Sequence, residues 1–236
     1  MGAQVGKRIV HYSRSERFQR SRHKLRRVPE QRELIYSGLD WSGSPGEVHG
    51  DVVVFAVVHF SDAALSTLSS ALQDAREALG IPPDYVFKNN GTGPRTREGF
   101  FHALGPLDFS ANVHVLDKRR WAETQHGKLS GPNCIRDGIV SLVMACPEDV
   151  VARQVLYLDI EPSQHKEITR LKTEIRQALR GARPRRVGFA DVRGCEDHRN
   201  QGAIIQVADM LAGQVNDHGG IAGPHLPALG RKITLV

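Results

Sequence analysis

Three aspartates stand at positions where a carboxylate could do chemistry. Asp40 and Asp159 each end an apolar run that reads as a strand, "ELIYSGLD" and "QVLYLD". Asp209 lies in "QVADMLAG", residues 206–213, where the neighbours repeat at helical spacing and the aspartate falls outside the apolar stripe. An unpaired buried carboxylate costs several kcal/mol or becomes protonated, so each one needs solvent, a cation or a metal ion.

Asp40 and Asp159 would lie close together if their strands are parallel neighbours, because ligands of α/β sheets gather at the carboxyl ends of strands. A helix that crosses the same edge would add Asp209. Three converging carboxylates suit Mg²⁺ or Mn²⁺, and paired ions of this kind activate water and stabilise the leaving oxygen in phosphodiester hydrolysis.

Each of the two strand-end aspartates also has a structural interpretation. Asp40 precedes the turn-like "WSGSPG", and Asp159 precedes "IEP", where an aspartate can open a helix. Glu161 is either a helper of the site or a solvated surface residue. Asp209 is the hardest to explain structurally, because an aspartate inside a helix serves neither a cap nor a turn.

The elements that must position these residues alternate between strand and helix patterns, which predicts an α/β fold with a mostly parallel or mixed sheet flanked by helices. The predicted strands are 33–40, 52–58, a short one at 85–88, 111–118, 154–161 and 185–192. Predicted helices run from a Ser61 cap to Gly80, around Phe100 to Leu104, around Ile135 to Cys146, from Pro162 and Ser163 through Leu179, and over 203–215.

Positive charge is concentrated at the amino terminus. Residues 1–33 hold ten Lys/Arg and three Glu, a net charge of +7, so the remaining residues carry −1 of the total of +6. We interpret 1–33 as a basic arm and 34–236 as the folded domain. The arm, with Arg26 and Arg27 near its end, is either a segment that binds phosphates without reading sequence or a disordered, solvated tail.

Composition narrows the environment of the protein. Three scattered cysteines form neither a disulfide framework nor a C-x-x-C pair, which fits a reducing cytoplasm. The longest apolar run, 52–58, is far shorter than the roughly 20 residues that cross a bilayer, and the chain start has no apolar core of a signal peptide. We therefore expect a cytoplasmic protein without a membrane partner.

Five segments together resemble the bacterial family catalogued as domain of unknown function 3800. They are "IYSGLDWSGSPG", "YVFK", "VHVLDKRRW", "VLYLDIE" and "DHRNQGAIIQVADMLAGQV", in that order over about residues 34–218, the last being the most specific. The resemblance implies a ribonuclease H-like fold, whose members are largely metal-dependent nucleases, recombinases and transposases. It also implies metal ligands at Asp40, Asp159 and Asp209, with Lys88, Lys118 and Gln206 near the site.

The chain departs from the family pattern at three places. Trp41 replaces an acidic residue, and the segment before Lys88 lacks a glutamate, although Asp84 lies close by. His198 replaces a serine; with Asp197 it forms either a local acid/base pair or an ordinary surface loop.

The sequence therefore predicts a metal-dependent nuclease acting on DNA or RNA. In this hypothesis Mg²⁺ or Mn²⁺ is held by three aspartates, and a lysine neutralises phosphate charge. Two alternatives remain: a nucleic-acid-binding or partner-binding protein with little or no catalysis, and a hydrolase of small phosphoesters. The candidate site residues are Asp40, Asp159 and Asp209 for metal and catalysis, Lys88 and Lys118 for catalysis, and Gln206, His198, Arg26 and Arg27 for substrate binding.

Overall fold

The structure is a computed structural model that describes residues 33–44, 51–124, 131–159, 165–182, 191–194 and 200–235. These residues belong to one compact unit, Glu33–Val236. Residues 1–32 of the basic arm, Glu161, Asp197 and His198 lie outside the described residues.

A six-stranded mixed sheet forms the centre of the described chain, in the order β5-β4-β1-β2-β3-β6. β1, β2 and β3 form an antiparallel meander, whereas β4 is parallel to β1, β5 to β4 and β6 to β3. The predicted mixed sheet flanked by helices is confirmed. The strands are β1 Ile35–Ser42, β2 Val52–Ser61, β3 Ser110–Asp117, β4 Gln154–Leu158, β5 Asp191–Gly194 and β6 Ile233–Leu235.

Helices cover both faces of the sheet. α1, α2 and α7 pack on one face, and α4 and α6 pack on the other. The helices of the described residues are α1 Asp62–Leu79, α2 Pro94–Leu104, α3 Lys118–Thr124, α4 Gly131–Ala145, α5 Glu148–Val151, α6 His165–Ala182 and α7 Asn200–Asp217, with a 3₁₀ helix at Leu226–Lys232.

Local sequence signals explain the first helix and the central strand. Ser61 caps α1, its Oγ accepting the Ala64 N–H at 3.2 Å, and Gly80 ends the helix in the left-handed conformation at φ 67°. These are the residues that the sequence predicts for both ends. β2 lies between both helical layers and is buried from 53 to 60, as its continuous apolar run predicts.

Two predicted strands differ from the structure. The segment 85–88 is not a strand, because the N–H of Phe87 within it and the N–H of Asn89 just after it bond to side chains of α7 instead of a neighbouring strand. The strand predicted over 185–192 is observed at Asp191–Gly194, and 185–190 lie outside the described residues.

Among the described helices, none has the length and apolar character needed to cross a membrane.

Candidate active site

Asp40 and Asp159 follow equivalent positions of neighbouring strands. β1 and β4 are parallel and Leu39 pairs with Leu158, so the next residue of each chain segment is an aspartate at the same level of the sheet. Neighbouring strands lie about 4.8 Å apart. The structure therefore brings these two aspartates to the same edge, as expected for parallel neighbours.

Helix α7 brings Asp209 to this edge because the helix packs directly on β1. A Cβ added to Gly38 would lie 2.8 Å from the carbonyl oxygen of Ile204, so only glycine permits this approach. Five residues after Ile204, Asp209 lines a pocket of about 460 Å³ together with Asp40 and Asp159. We call this the carboxylate pocket; its lining also includes Lys88, Asn90 and Gln206.

The surroundings of Asp40 and Asp209 in the carboxylate pocket disfavour the charged forms of these side chains. Burial raises the pKa of Asp40 to about 7; the charges of Asp209 and Asp159 add to this rise, while the Trp41 N–H bond and Lys88 oppose it. Burial also raises the pKa of Asp209, against the hydrogen bond from Asn89 and the charge of Lys88. Burial therefore disfavours the charged forms of Asp40 and Asp209, and Lys88 offsets this only in part.

The segment that carries Lys88 is held against α7 by two hydrogen bonds from its main chain. Phe87 N–H donates to Gln206 Oε1 at 2.9 Å, and Asn89 N–H donates to Asp209 Oδ2 at 2.7 Å. Lys88 lies between these bonds and is exposed at the pocket. Two polar side chains of the "QVADMLAG" motif thus fix the position of the lysine.

Arg97 of α2 also holds this segment. Its guanidinium donates to the carbonyl oxygens of Asn89 at 2.8 Å and Thr92 at 2.9 Å, and it pairs with Asp217 at 2.8 Å. Asp217 also accepts a bond from the Asn89 side chain at 3.2 Å. Sequence reasoning missed Asn89, Asn90 and Arg97, because nothing local in the chain indicates these contacts.

Gly213, the last residue of the motif, makes room for Asn89. A Cβ added to Gly213 would overlap the Asn89 side chain. We expect Gly213→Ala to lower the free energy of unfolding by about 1–3 kcal/mol, as overpacking does, and to displace the segment with Lys88. Chemical denaturation measures the loss.

Gly181→Ala is the matched control for that substitution. Gly181 also lies in a helix, and an added Cβ meets nothing within 4 Å. The Gly181→Ala variant should have a free energy of unfolding up to about 1 kcal/mol higher than the parent, because alanine has the higher helix propensity. Equal stabilities of the two variants would contradict the role of Gly213.

Lys118 does not line the carboxylate pocket. It is the first residue of α3, which directly follows β3. It is 3% exposed, its Nζ donates to the Ser44 carbonyl at 3.2 Å, and its charge acts on the Cys134 thiol. Side chains alternate across a strand, and Trp41 of β1 packs on the sheet face that carries α4, so an acidic residue at position 41 would also lie away from the pocket.

Gln206 lines the carboxylate pocket, whereas His198, Arg26 and Arg27 lie outside the described residues. Over the described ranges, no three His, Cys, Asp or Glu side chains are grouped closely enough to hold one ion. The oxygen donors of the three aspartates fit Mg²⁺ or Mn²⁺ chemically, but their side chains would have to draw together on binding.

The fold is similar to that of ribonuclease H2 from Pyrococcus horikoshii OT3, with a TM-score of 0.52 and 18% identity over 79% of this chain and 74% of that one. Similarity is lower to RNase HII from Archaeoglobus fulgidus, solved as a complex with PCNA, with a TM-score of 0.48 and 15% identity over 84% and 91% of the two chains. Bst-RNase HIII, solved with Mn²⁺, has a TM-score of 0.45 and 13% identity over 79% and 53%.

No protein-family model and no curated protein matches the chain, so membership of the family named domain of unknown function 3800 stays a prediction. The six-stranded mixed sheet with its two helical layers, by contrast, superposes on a ribonuclease H2 over most of both chains. The chain has a ribonuclease H-like fold.

Proposed function

We propose that the protein is a metal-dependent nuclease that hydrolyses phosphodiester bonds of nucleic acid at the carboxylate pocket. The observation that carries this proposal is the joint lining of one pocket by Asp40, Asp159, Asp209 and Lys88. The similarly folded Pyrococcus horikoshii protein is a ribonuclease, which supports the reaction class. We also propose that the chain belongs to the family named domain of unknown function 3800 and acts in the cytoplasm.

Asp40, Asp159 and Asp209 would hold Mg²⁺ or Mn²⁺. Burial, and to a lesser extent the charges of Asp209 and Asp159, raise the pKa of Asp40, and a dication held there would stabilise its charged form, which supports a cation at this position. A bound divalent ion would supply an activated water and stabilisation of the leaving oxygen. Asp209 would have a second role, since its Oδ2 also accepts the Asn89 N–H.

Lys88 is the cation that we assign to the substrate phosphate. It is exposed in the pocket, and main-chain bonds on both sides of it limit the movement of its backbone. A positive charge fixed there in advance stabilises the charge that develops on the phosphate oxygens. We assign Lys118 no part in this mechanism, because it does not line the carboxylate pocket and its Nζ donates to the Ser44 carbonyl. Gln206, His198, Arg26 and Arg27 are proposed substrate contacts.

A second candidate function is nucleic-acid or partner binding on the same fold with little catalysis. One observation favours it: within the part of the chain that the structure describes, the carboxylates are not grouped tightly enough to coordinate an ion. This alternative predicts binding without turnover.

Purified protein incubated with single-stranded and duplex DNA and RNA distinguishes the two functions. The nuclease predicts cleavage that requires Mg²⁺ or Mn²⁺ and stops in chelator. Binding without cleavage in any metal would favour the second function, and turnover of nucleotides alone would indicate a small-phosphoester hydrolase.

Deletion of residues 1–33 is expected to weaken nucleic-acid binding and flatten its salt dependence. The arm carries a charge of +7 beside a domain of −1, and each phosphate that a cation neutralises releases counterions. Binding titrations at several salt concentrations measure this. If the dependence of affinity on salt concentration is unchanged by the deletion, the arm does not take part in binding.

A further inference from the structure

A second pocket opens beside the carboxylate pocket. Its volume is about 530 Å³, and Arg76, Asp84, Tyr85 and Gln73 are among its lining residues. We call it the Arg76 pocket. It shares two lining residues with the carboxylate pocket, Val86 and Gln206, so the two pockets meet at that pair.

The guanidinium of Arg76 is held in place on the wall of this pocket. Its Nε donates to the Tyr85 carbonyl at 2.8 Å, and the group lies over the Phe87 ring, 5.1 Å from its centre. Within the described ranges this is its one hydrogen bond. A guanidinium has five N–H donors, so its terminal nitrogens remain available to an anion.

Gln206 offers a second donor where the pockets meet. Its Oε1 accepts the Phe87 N–H, which fixes the orientation of the amide. The Nε2 of the same side chain bonds to no residue that the structure describes. Gln206, which lines both pockets, thus offers an amide donor where they meet.

We propose that the Arg76 pocket binds a backbone phosphate of the same nucleic-acid strand whose scissile phosphate occupies the carboxylate pocket. This inference rests on the proposed nuclease function. Tyr85, which Arg76 contacts, is three residues from Lys88, a span of at most roughly 10 Å. Each strand of a duplex places one phosphate per about 3.4 Å of helix axis, so the two sites would be a few nucleotides apart. The substrate is therefore a polymer and not a mononucleotide.

Asp84 opposes the binding of an anion, and its removal therefore tests whether the ligand of the Arg76 pocket is negatively or positively charged. Its carboxylate lines the same pocket and interacts with the Arg76 charge. A phosphate bound there is repelled by Asp84 while it is attracted by Arg76. Asp84→Asn should therefore tighten nucleic-acid binding, whereas it would weaken the binding of a cationic ligand.

The experiment measures binding of a labelled single-stranded oligonucleotide to the full chain in chelator, between 50 and 200 mM salt. Arg76→Gln should bind about tenfold more weakly at low salt, the loss expected for one charge-assisted hydrogen bond, and the slope of log K against log salt should flatten by about 0.7. Arg176→Gln, an exposed arginine of α6 on the opposite sheet face, is the control and should match the parent.

Arg76→Lys separates the charge from the contact with Tyr85. It keeps the cation but loses the geometry of the Nε bond, so the salt slope of the parent should be retained. Two outcomes would overturn the proposed phosphate site at Arg76. One is a slope of log K against log salt that is the same for Arg76→Gln and Arg176→Gln. The other is an Arg76→Lys variant whose salt slope equals that of Arg76→Gln. Metal-dependent cleavage by the same preparations reports separately on the proposed nuclease, and a parent that neither binds nor cleaves any strand overturns both.

Discussion

Asp159→Asn is expected to reduce Mn²⁺-supported cleavage of nucleic acid by at least about a hundredfold while the protein stays folded. An amide keeps the shape of the side chain but loses the charge that attracts a dication. Metal stabilisation of the reacting phosphate amounts to several kcal/mol, and each ~1.4 kcal/mol is a factor of ten in rate. Initial rates with a labelled oligonucleotide, with circular dichroism as a check of folding, measure the effect.

Asp108→Asn is a suitable control for this substitution. Asp108 is exposed and precedes β3, which runs parallel to β1. It therefore lies at the amino-terminal ends of these strands, whereas Asp159 lies at the carboxyl ends. It should cleave at the parental rate. Cleavage retained by Asp159→Asn would remove Asp159 from the catalytic residues, and equal losses in both variants would indicate a general effect of charge.

Asp209→Asn is expected to leave the metal-free protein as stable as the parent or more stable, and to remove most of its stabilisation by Mn²⁺. The amide retains an oxygen that can accept the Asn89 N–H, but it no longer carries a charge that burial disfavours. At ten times its dissociation constant, Mn²⁺ should add roughly 1.4 kcal/mol to the parent through preferential binding to the folded state. Thermal melts in chelator measure the stability of the metal-free proteins, and melts in Mn²⁺ measure the stabilisation by the metal.

The pH dependence of these melts gives a further readout. The folded-state pKa values of Asp40 and Asp209 are raised, so the folded metal-free protein binds protons more tightly than the unfolded chain. These two groups therefore stabilise the folded state most below their unfolded pKa of 3.8, and this contribution falls as pH rises toward about 7, the folded pKa of Asp40. In Asp209→Asn this fall should be smaller.

Asp209→Ala is the matched variant that removes the hydrogen bond as well as the charge. Without an acceptor for the Asn89 N–H, it should lose about 1–3 kcal/mol relative to Asp209→Asn. An Asn variant that melts lower than the parent in chelator, with a parent that does not respond to Mn²⁺, would show that Asp209 serves the architecture alone.

The sequence by itself determined the elements whose signals are local. The caps at Ser61 and Gly80 set the two ends of α1. The continuous apolar run of β2 predicts that this strand is buried on both faces. The spacing in 203–215 predicts α7. The carboxylates were identifiable for the same reason, since an aspartate at a strand end or inside a helix departs from the pattern around it.

Only the tertiary structure decided which side chains meet. Residues 85–88 have the composition of a strand, yet the bonds from Phe87 and Asn89 go to Gln206 and Asp209, 119 and 120 residues away in the chain. The sequence does not distinguish Lys88 from Lys118 as a site residue, but only Lys88 lines the carboxylate pocket, whereas Lys118 begins α3 and its Nζ donates to the Ser44 carbonyl. Local periodicity carries no information about such contacts, because they depend on how the helices pack across the sheet.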